Sequence, residues 1–110
     1  MEEQATCGCY ARSATRNGAN IQEQLRICRS VAAERGYVVD ERYVFVDDGV
    51  GGLGAPGPGW NSLMELSASD LRPFEAVVAR DASRITRSEQ VLEEQFARLR
   101  DAGVEVVFQS

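Results

Sequence analysis

Arg84 and Arg87 stand three residues apart in Ala79-Arg80-Asp81-Ala82-Ser83-Arg84-Ile85-Thr86-Arg87, directly after the apolar run Phe74-Glu75-Ala76-Val77-Val78. On a first helical turn that spacing puts both side chains on one face. Paired guanidinium groups suit a phosphate, because each planar fork donates two parallel hydrogen bonds to its oxygens. Solvated surface arginines are also common and contribute little, so the pair gains meaning only if the rest of the chain brings complementary groups to the same place. The other chemistry available is limited. All twelve cationic residues are arginine, and lysine and histidine are absent. This excludes a histidine base, a histidine metal ligand and a lysine Schiff base from within the chain. Cys7, Cys9 and Cys28 are too few and wrongly spaced for a zinc site, and their odd number argues against a disulfide framework. They read as small buried hydrophobes, two on one strand face and one on a helix stripe.

The elements that must carry these residues alternate in type. Thr6 to Arg12 is a first strand with Gly8 allowing close backbone packing, and polar Ser13 to Asn20 is a loop. Ile21, Leu25, Cys28, Val31 and Ala32 keep helical spacing, with Asn20 as N-cap and Gly36 as stop. Tyr37-Val38-Val39 and Tyr43-Val44-Phe45-Val46 flank a charged stretch and form the second strand. Asp47 to Gly59 is a loop holding six glycines and two prolines. Trp60, Leu63, Met64 and Leu66 mark a second helix, and Phe74 to Ala79 the third strand. A helix from Ser88 carries Leu92, Phe96 and Leu99 and stops at Gly103, and Val104 to Phe108 is a fourth strand.

This β-α-β-α-β-α-β order predicts an α/β domain of three layers, a four-stranded, mainly parallel sheet with flanking helices. Ligands of such sheets gather outside the carboxyl ends of the strands. Three of those ends carry Arg12, the pair Asp47 and Asp48, and the pair Arg84 and Arg87. At 110 residues and 26% charged residues, the chain reads as one ordinary globular domain. No run approaches membrane length and the first residues lack the form of a secretory signal, so a cytoplasmic protein is expected. The net charge of -5 argues against broad attraction to nucleic acid but not against a local basic site.

With these residues in place, the chain resembles the N-terminal catalytic domain of the serine recombinases, the resolvase and invertase family, over nearly its whole length. The resemblance is carried by Tyr10-Ala11-Arg12, Gln24, Asp47-Asp48-Gly49-Val50-Gly51-Gly52, Pro58-Gly59-Trp60 and Ser83-Arg84-Ile85-Thr86-Arg87. It implies a resolvase-like fold and site-specific DNA recombination. In that chemistry a serine hydroxyl attacks the scissile phosphate to form a 5′-phosphoserine, a 3′-hydroxyl leaves, and the reverse attack reseals the strands without metal or nucleotide cofactor. It also implies DNA as partner, a homodimer that becomes a tetramer at synapsis, and no membrane. Arg12, Arg84 and Arg87 match the arginines that cradle the phosphate. Gln24 matches a polar active-site neighbour if one extra loop residue is allowed, and Asp47 and Asp48 join the substrate-binding set.

Two departures bear on activity. The family pattern is Tyr-x-Arg-x-Ser, and here the last position is Ala14, which has no nucleophilic atom. The neighbours Ser13 and Thr15 carry hydroxyls, and Ser13 is the replacement nucleophile to consider, although in an extended segment successive side chains face opposite ways, so it would need a local twist. The family's loop serine and the arginine before Pro-Gly are replaced by Gly51 and Gly57, and losing such a cation could cost about 3 kcal/mol or more. Three readings stay open: an active recombinase domain using Ser13, a relative that keeps the fold and phosphate cradle without cutting DNA, and a dimerisation or regulatory module whose arginines bind a partner's phosphate or carboxylate. A receiver-type domain is set aside, because its acidic pair would follow the first strand and need a lysine. The chain is expected to be one domain, 1–110, of a longer parent that continues into a dimerisation helix and a DNA-reading domain.

Overall fold

The computed structural model describes residues 5–50, 56–70 and 73–109. Strand β1 (Ala5–Ser13) organises it, because its alternating side chains serve two cores. Cys7, Cys9 and Ala11 share one core with Ile21, Leu25, Cys28, Val31 and Ala32 of α1 (Gly18–Glu34). Tyr10 enters the other, with Trp60, Leu63 and Met64 of α2 (Pro58–Ala68) and Leu99 of α3 (Glu89–Asp101). One helix therefore covers one face and two cover the other, giving the expected three layers.

The sheet is parallel throughout, in the order β2 (Tyr37–Asp48), β1, β3 (Ala76–Ala79), β4 (Glu105–Phe108). The chain steps outward from β1 to β2 and then returns to β1's other side for β3. Strand order thus reverses between β1 and β3, which is where open α/β sheets leave a crevice beyond the carboxyl ends of the strands.

Some boundaries differ from the sequence pattern for physical reasons. The two apolar runs around Asp40-Glu41-Arg42 belong to one strand, as the pattern predicts, and the register jumps within it from Cys7 opposite Val39 to Cys9 opposite Val44. A Cβ on Gly8 would lie 2.9 Å from the Tyr43 carbonyl, so only glycine permits this close approach. Helix α1 begins earlier than the apolar stripe, with Asn17 rather than Asn20 as its cap: the Asn17 side chain accepts from the Asn20 N–H. Phe74 precedes the short β3 yet is buried in the second core. Gly36 and Gly103 close α1 and α3 with φ of 81° and 79°. The three cysteines are free and buried in the first core. Among the described residues, no helix is long and apolar enough to cross a membrane.

Candidate functional site

The site lies where β1 and β3 end, and Arg12 is its frame. The residue is only 3% exposed, and its guanidinium is fixed by backbone carbonyls rather than by acids. Nε donates to Arg84 O at 2.7 Å, Nη1 to Val50 O at 2.9 Å and Nη2 to Ser83 O at 2.6 Å. Of five N–H donors, one on each terminal nitrogen has no acceptor among the described residues. Burial pushes the Arg12 guanidinium below its ordinary pKa; Arg84 and Arg87 push the same way, against Tyr10 and Asp47. Arg84 and Arg87 thus crowd the same small region with like charge.

Gln24 holds the Arg12 backbone. Its Oε1 accepts from Arg12 N at 3.2 Å, and its Nε2 donates to Arg12 O at 2.9 Å and Asn20 Oδ1 at 2.6 Å. The residue is fully buried, and both amide hydrogens are engaged within the chain. Asn17, Asn20 and Gln24 form a polar relay up one side of α1. The i, i+3, i+7 spacing of these amides was the available sequence signal for it, although Asn17 and Asn20 were not singled out as site residues.

Asp47, 3% exposed, also faces its own chain. Oδ2 accepts from Tyr10 OH at 2.6 Å and Trp60 N at 3.1 Å, and Oδ1 accepts from Gly59 N at 2.8 Å. Gly57 at the start of α2 has no capping side chain, so Asp47 supplies the acceptor from the end of β2. A Cβ on Gly57 would lie 2.7 Å from the Asp47 carboxylate, and one on Gly59 2.9 Å. Burial first, and the Asp47 carboxylate second, raise the Tyr10 phenol pKa. Asp48 is exposed and accepts from Asn17 N at 2.8 Å, tying the loop after β1 to the end of β2.

Arg84 touches Arg12, and Arg87 is near enough for its charge to act on the Arg12 guanidinium, but the two do not share one helical turn. Ala82–Arg84 is a single 3₁₀ turn capped by Asp81, whose carboxylate also receives the Ser83 hydroxyl. Ile85 then enters the core and Ser88 caps α3, which leaves Arg87 exposed between them. Arg84 Nη1 rests 3.5 Å from Arg12 O, against the peptide that leads to Ser13. Arg84 Nε lies 3.7 Å from Asp81 Oδ2 and is buried without a hydrogen-bond partner among the described residues.

Ser13 pairs with Asp48 across the sheet and is 7% exposed. Its hydroxyl donates to Thr15 O at 2.5 Å, and its carbonyl accepts from Gly49 N at 2.8 Å and Val50 N at 3.0 Å. Ala14 beside it is exposed. Gly51 and Gly52, part of the pattern read from the sequence, lie outside the described residues.

The family model described as Resolvase, N terminal domain, matches residues 7–110. No curated protein matches the sequence. Among solved structures, the chain is similar to the N-terminal catalytic domain of TP901-1 integrase, with TM-score 0.83, 19% identity, and 94% of this chain covering 77% of that one. It is similar to the C-terminal catalytic domain of ISC1926 TnpA, an IS607-like serine recombinase, with TM-score 0.81, 22% identity and coverage of 96% and 70%. A resolvase family site-specific recombinase from Streptococcus pneumoniae gives TM-score 0.80, 20% identity and coverage of 96% and 72%. At these identities the likeness speaks for the fold.

Proposed function

Because the chain belongs to the serine recombinase family as a resolvase N-terminal domain, we propose that it breaks and rejoins DNA in site-specific recombination, with Arg84 and Arg87 receiving a backbone phosphate on a frame set by Arg12. The observation that carries this reading is the convergence of Arg84 on the peptide between Arg12 and Ser13, 72 residues away in sequence. The Arg84 side chain is 24% exposed, so its terminal N–H groups can give a phosphate oxygen charge-assisted bonds. Gln24 and Asp47 are positioning residues in this proposal. Gln24 fixes the Arg12 backbone, and Asp47 ties β1 and β2 to the start of α2. DNA is the partner, and assembly into dimers and, at synapsis, tetramers belongs to the same proposal.

In the proposed reaction Ser13 Oγ attacks phosphorus, the 3′ oxygen leaves, and the proton lost by the serine balances the one gained by the new 3′-hydroxyl. One phosphodiester is exchanged for another, so the reverse attack reseals without an energy source. The guanidinium groups stabilise the charge that grows on the phosphoryl oxygens. For this, Ser13 Oγ must leave Thr15 O and turn toward Arg84.

One observation favours a second reading, a non-catalytic dimerisation or regulatory module that keeps the phosphate cradle: with Ala14 at the family's nucleophile position, the hydroxyl of Ser13 before it is already engaged by Thr15 O. A nicked suicide DNA substrate separates the two. A covalent adduct on Ser13, located by peptide mass mapping and absent from Ser13→Ala, supports strand breakage. Binding to the same DNA without any adduct, under conditions that permit synapsis, supports the second reading and removes the first.

A further inference from the structure

We infer that Arg16 is a further phosphate-contacting residue, providing across the Asp48-Gly49-Val50 turn the cation that Gly57 lacks. This rests on the reading that the site takes a DNA backbone phosphate, and adds to it a residue that neither spacing nor resemblance singled out.

Steric exclusion at Gly57 is the first observation. A Cβ there would meet Asp47 Cγ and Oδ2 at 2.7 Å and Val50 Cγ1 at 2.9 Å. Because the Asp47 carboxylate is held by three hydrogen bonds, it cannot retreat without releasing the start of α2. No cationic side chain fits at position 57 while this arrangement persists.

Against Gly49 of the same turn a cation is present. Gly49 has φ of 82°, and a Cβ on it would lie 3.0 Å from Arg16 Cγ and 3.9 Å from Arg16 Nε. The Arg16 stem therefore lies across the backbone of Gly49, in space that a side chain at 49 would occupy. That backbone is fastened to both parts of the site: Gly49 N and Val50 N donate to Ser13 O, and Val50 O accepts from Arg12 Nη1. A side chain resting on this turn is thereby held in place relative to Ser13 and Arg12.

Among the described residues the Arg16 side chain has no ion pair or hydrogen bond, unlike the exposed Arg26, Arg29 and Arg42, which pair with Glu23, Glu41 and Asp40, and like that of Arg35, which lies at the far end of α1. Asp48, the carboxylate of the same turn, is directed to Asn17 N instead. An exposed guanidinium with a packed stem on the rim of a cationic site suits the backbone of an extended polyanion.

The test measures binding of the 110-residue chain to a short fluorescent DNA duplex by anisotropy, from about 20 to about 200 mM salt. Arg16→Ala is expected to weaken binding about tenfold at about 50 mM salt and to lower the log–log salt slope by about 0.9, the signature of one lost phosphate contact. Arg16→Lys should restore most of both. Arg35→Ala removes the same charge at the opposite end of the sheet, where Tyr37 pairs with Ala5, and should change affinity less than about twofold. If Arg84→Ala loses binding while Arg16→Ala behaves like Arg35→Ala, the Arg16 assignment is overturned and the phosphate reading stands. If Arg84→Ala also binds normally, or the unaltered chain does not bind at the lowest salt, the phosphate reading falls and takes the assignment with it.

Discussion

Replacing Asp47 by asparagine is an informative single perturbation, because the change is isosteric and the surroundings specify its cost. Three donors point at this carboxylate: Tyr10 OH, Gly59 N and Trp60 N. An asparagine offers one oxygen and one NH2. With its oxygen in the Oδ2 position it accepts from Tyr10 and Trp60 and sets the NH2 against the Gly59 N–H. With the oxygen in the Oδ1 position, the NH2 meets the Trp60 N–H; the Tyr10 hydroxyl can rotate to accept, but the backbone cannot. Either way one buried backbone donor is unsatisfied, at about 1–3 kcal/mol, and the favourable charge at the α2 N-terminus is lost, at about 0.3–2 kcal/mol. The expected loss is about 2–4 kcal/mol, a large part of a typical domain's stability. At an m-value of about 1.5 kcal/mol/M, the urea midpoint falls by about 1–3 M with the slope unchanged. Asp47→Ala should cost more, and Tyr10→Phe less, about 1–2 kcal/mol. A midpoint for Asp47→Asn within about 0.3 M of the unaltered chain would refute the reasoning, since it would mean that Asp47 does not cap α2.

Gln24→Ala strands Arg12 N and loosens its carbonyl, so it should cost about 2–3 kcal/mol in urea unfolding and weaken DNA binding although Gln24 keeps no free amide hydrogen for DNA; unchanged binding in a folded variant contradicts the positioning role. Gly57→Arg should lower stability and fail to raise DNA affinity, because its Cβ enters the space of the Asp47 carboxylate; a stable, tighter-binding variant refutes this. The Tyr10 phenol, its pKa raised by burial and then by Asp47, favours the fold below the unfolded tyrosine value of about 10, and this contribution is lost as pH climbs above it. Ultraviolet tyrosine titration should therefore show Tyr10 ionising only with alkaline unfolding, and Tyr10→Phe should flatten that limb. Cys7, Cys9 and Cys28 are at most 1% exposed, so a thiol reagent near pH 8 should label them at the rate of unfolding and not faster.

Much of the architecture was legible from periodicity, because each strand and helix buries one pattern of apolar residues: Cys7, Cys9 and Ala11 alternate with Tyr10, and Ile21, Leu25 and Cys28 repeat at helical spacing. That the two apolar runs around Asp40-Glu41-Arg42 form one strand was legible, but the register jump within it was not, since it depends on Gly8 letting the Tyr43 carbonyl approach. Asn20 is as good a cap by type as Asn17, and the choice is made by the tether of Asn17 N to Asp48, 31 residues away. In the site, residue types indicated which side chains converge but not which way their polar atoms turn. By resemblance Gln24 and Asp47 belong with the substrate-binding residues, yet their hydrogen bonds run to Arg12, Asn20, Tyr10 and the start of α2. The pairing of Arg84 with Arg87 on a helical turn was inferred from spacing alone. Asp81 capping a single tight turn and Ser88 starting a new helix place them otherwise.

The proposed function divides labour between the arginines: the Arg12 guanidinium is held by the carbonyls of Ser83, Arg84 and Val50, and Arg84 would offer its terminal N–H groups to the phosphate. Nitrogen-15 NMR of the arginine Nε–Hε groups, recorded while a short DNA duplex is added, reads both at once. The Arg84 signal should shift as the terminal nitrogens of the same guanidinium take up the phosphate, while the Arg12 signal, bonded to Arg84 O from the start, stays nearly fixed. If DNA binds, moves Arg12 and leaves Arg84 unchanged, the roles are reversed and the account is wrong.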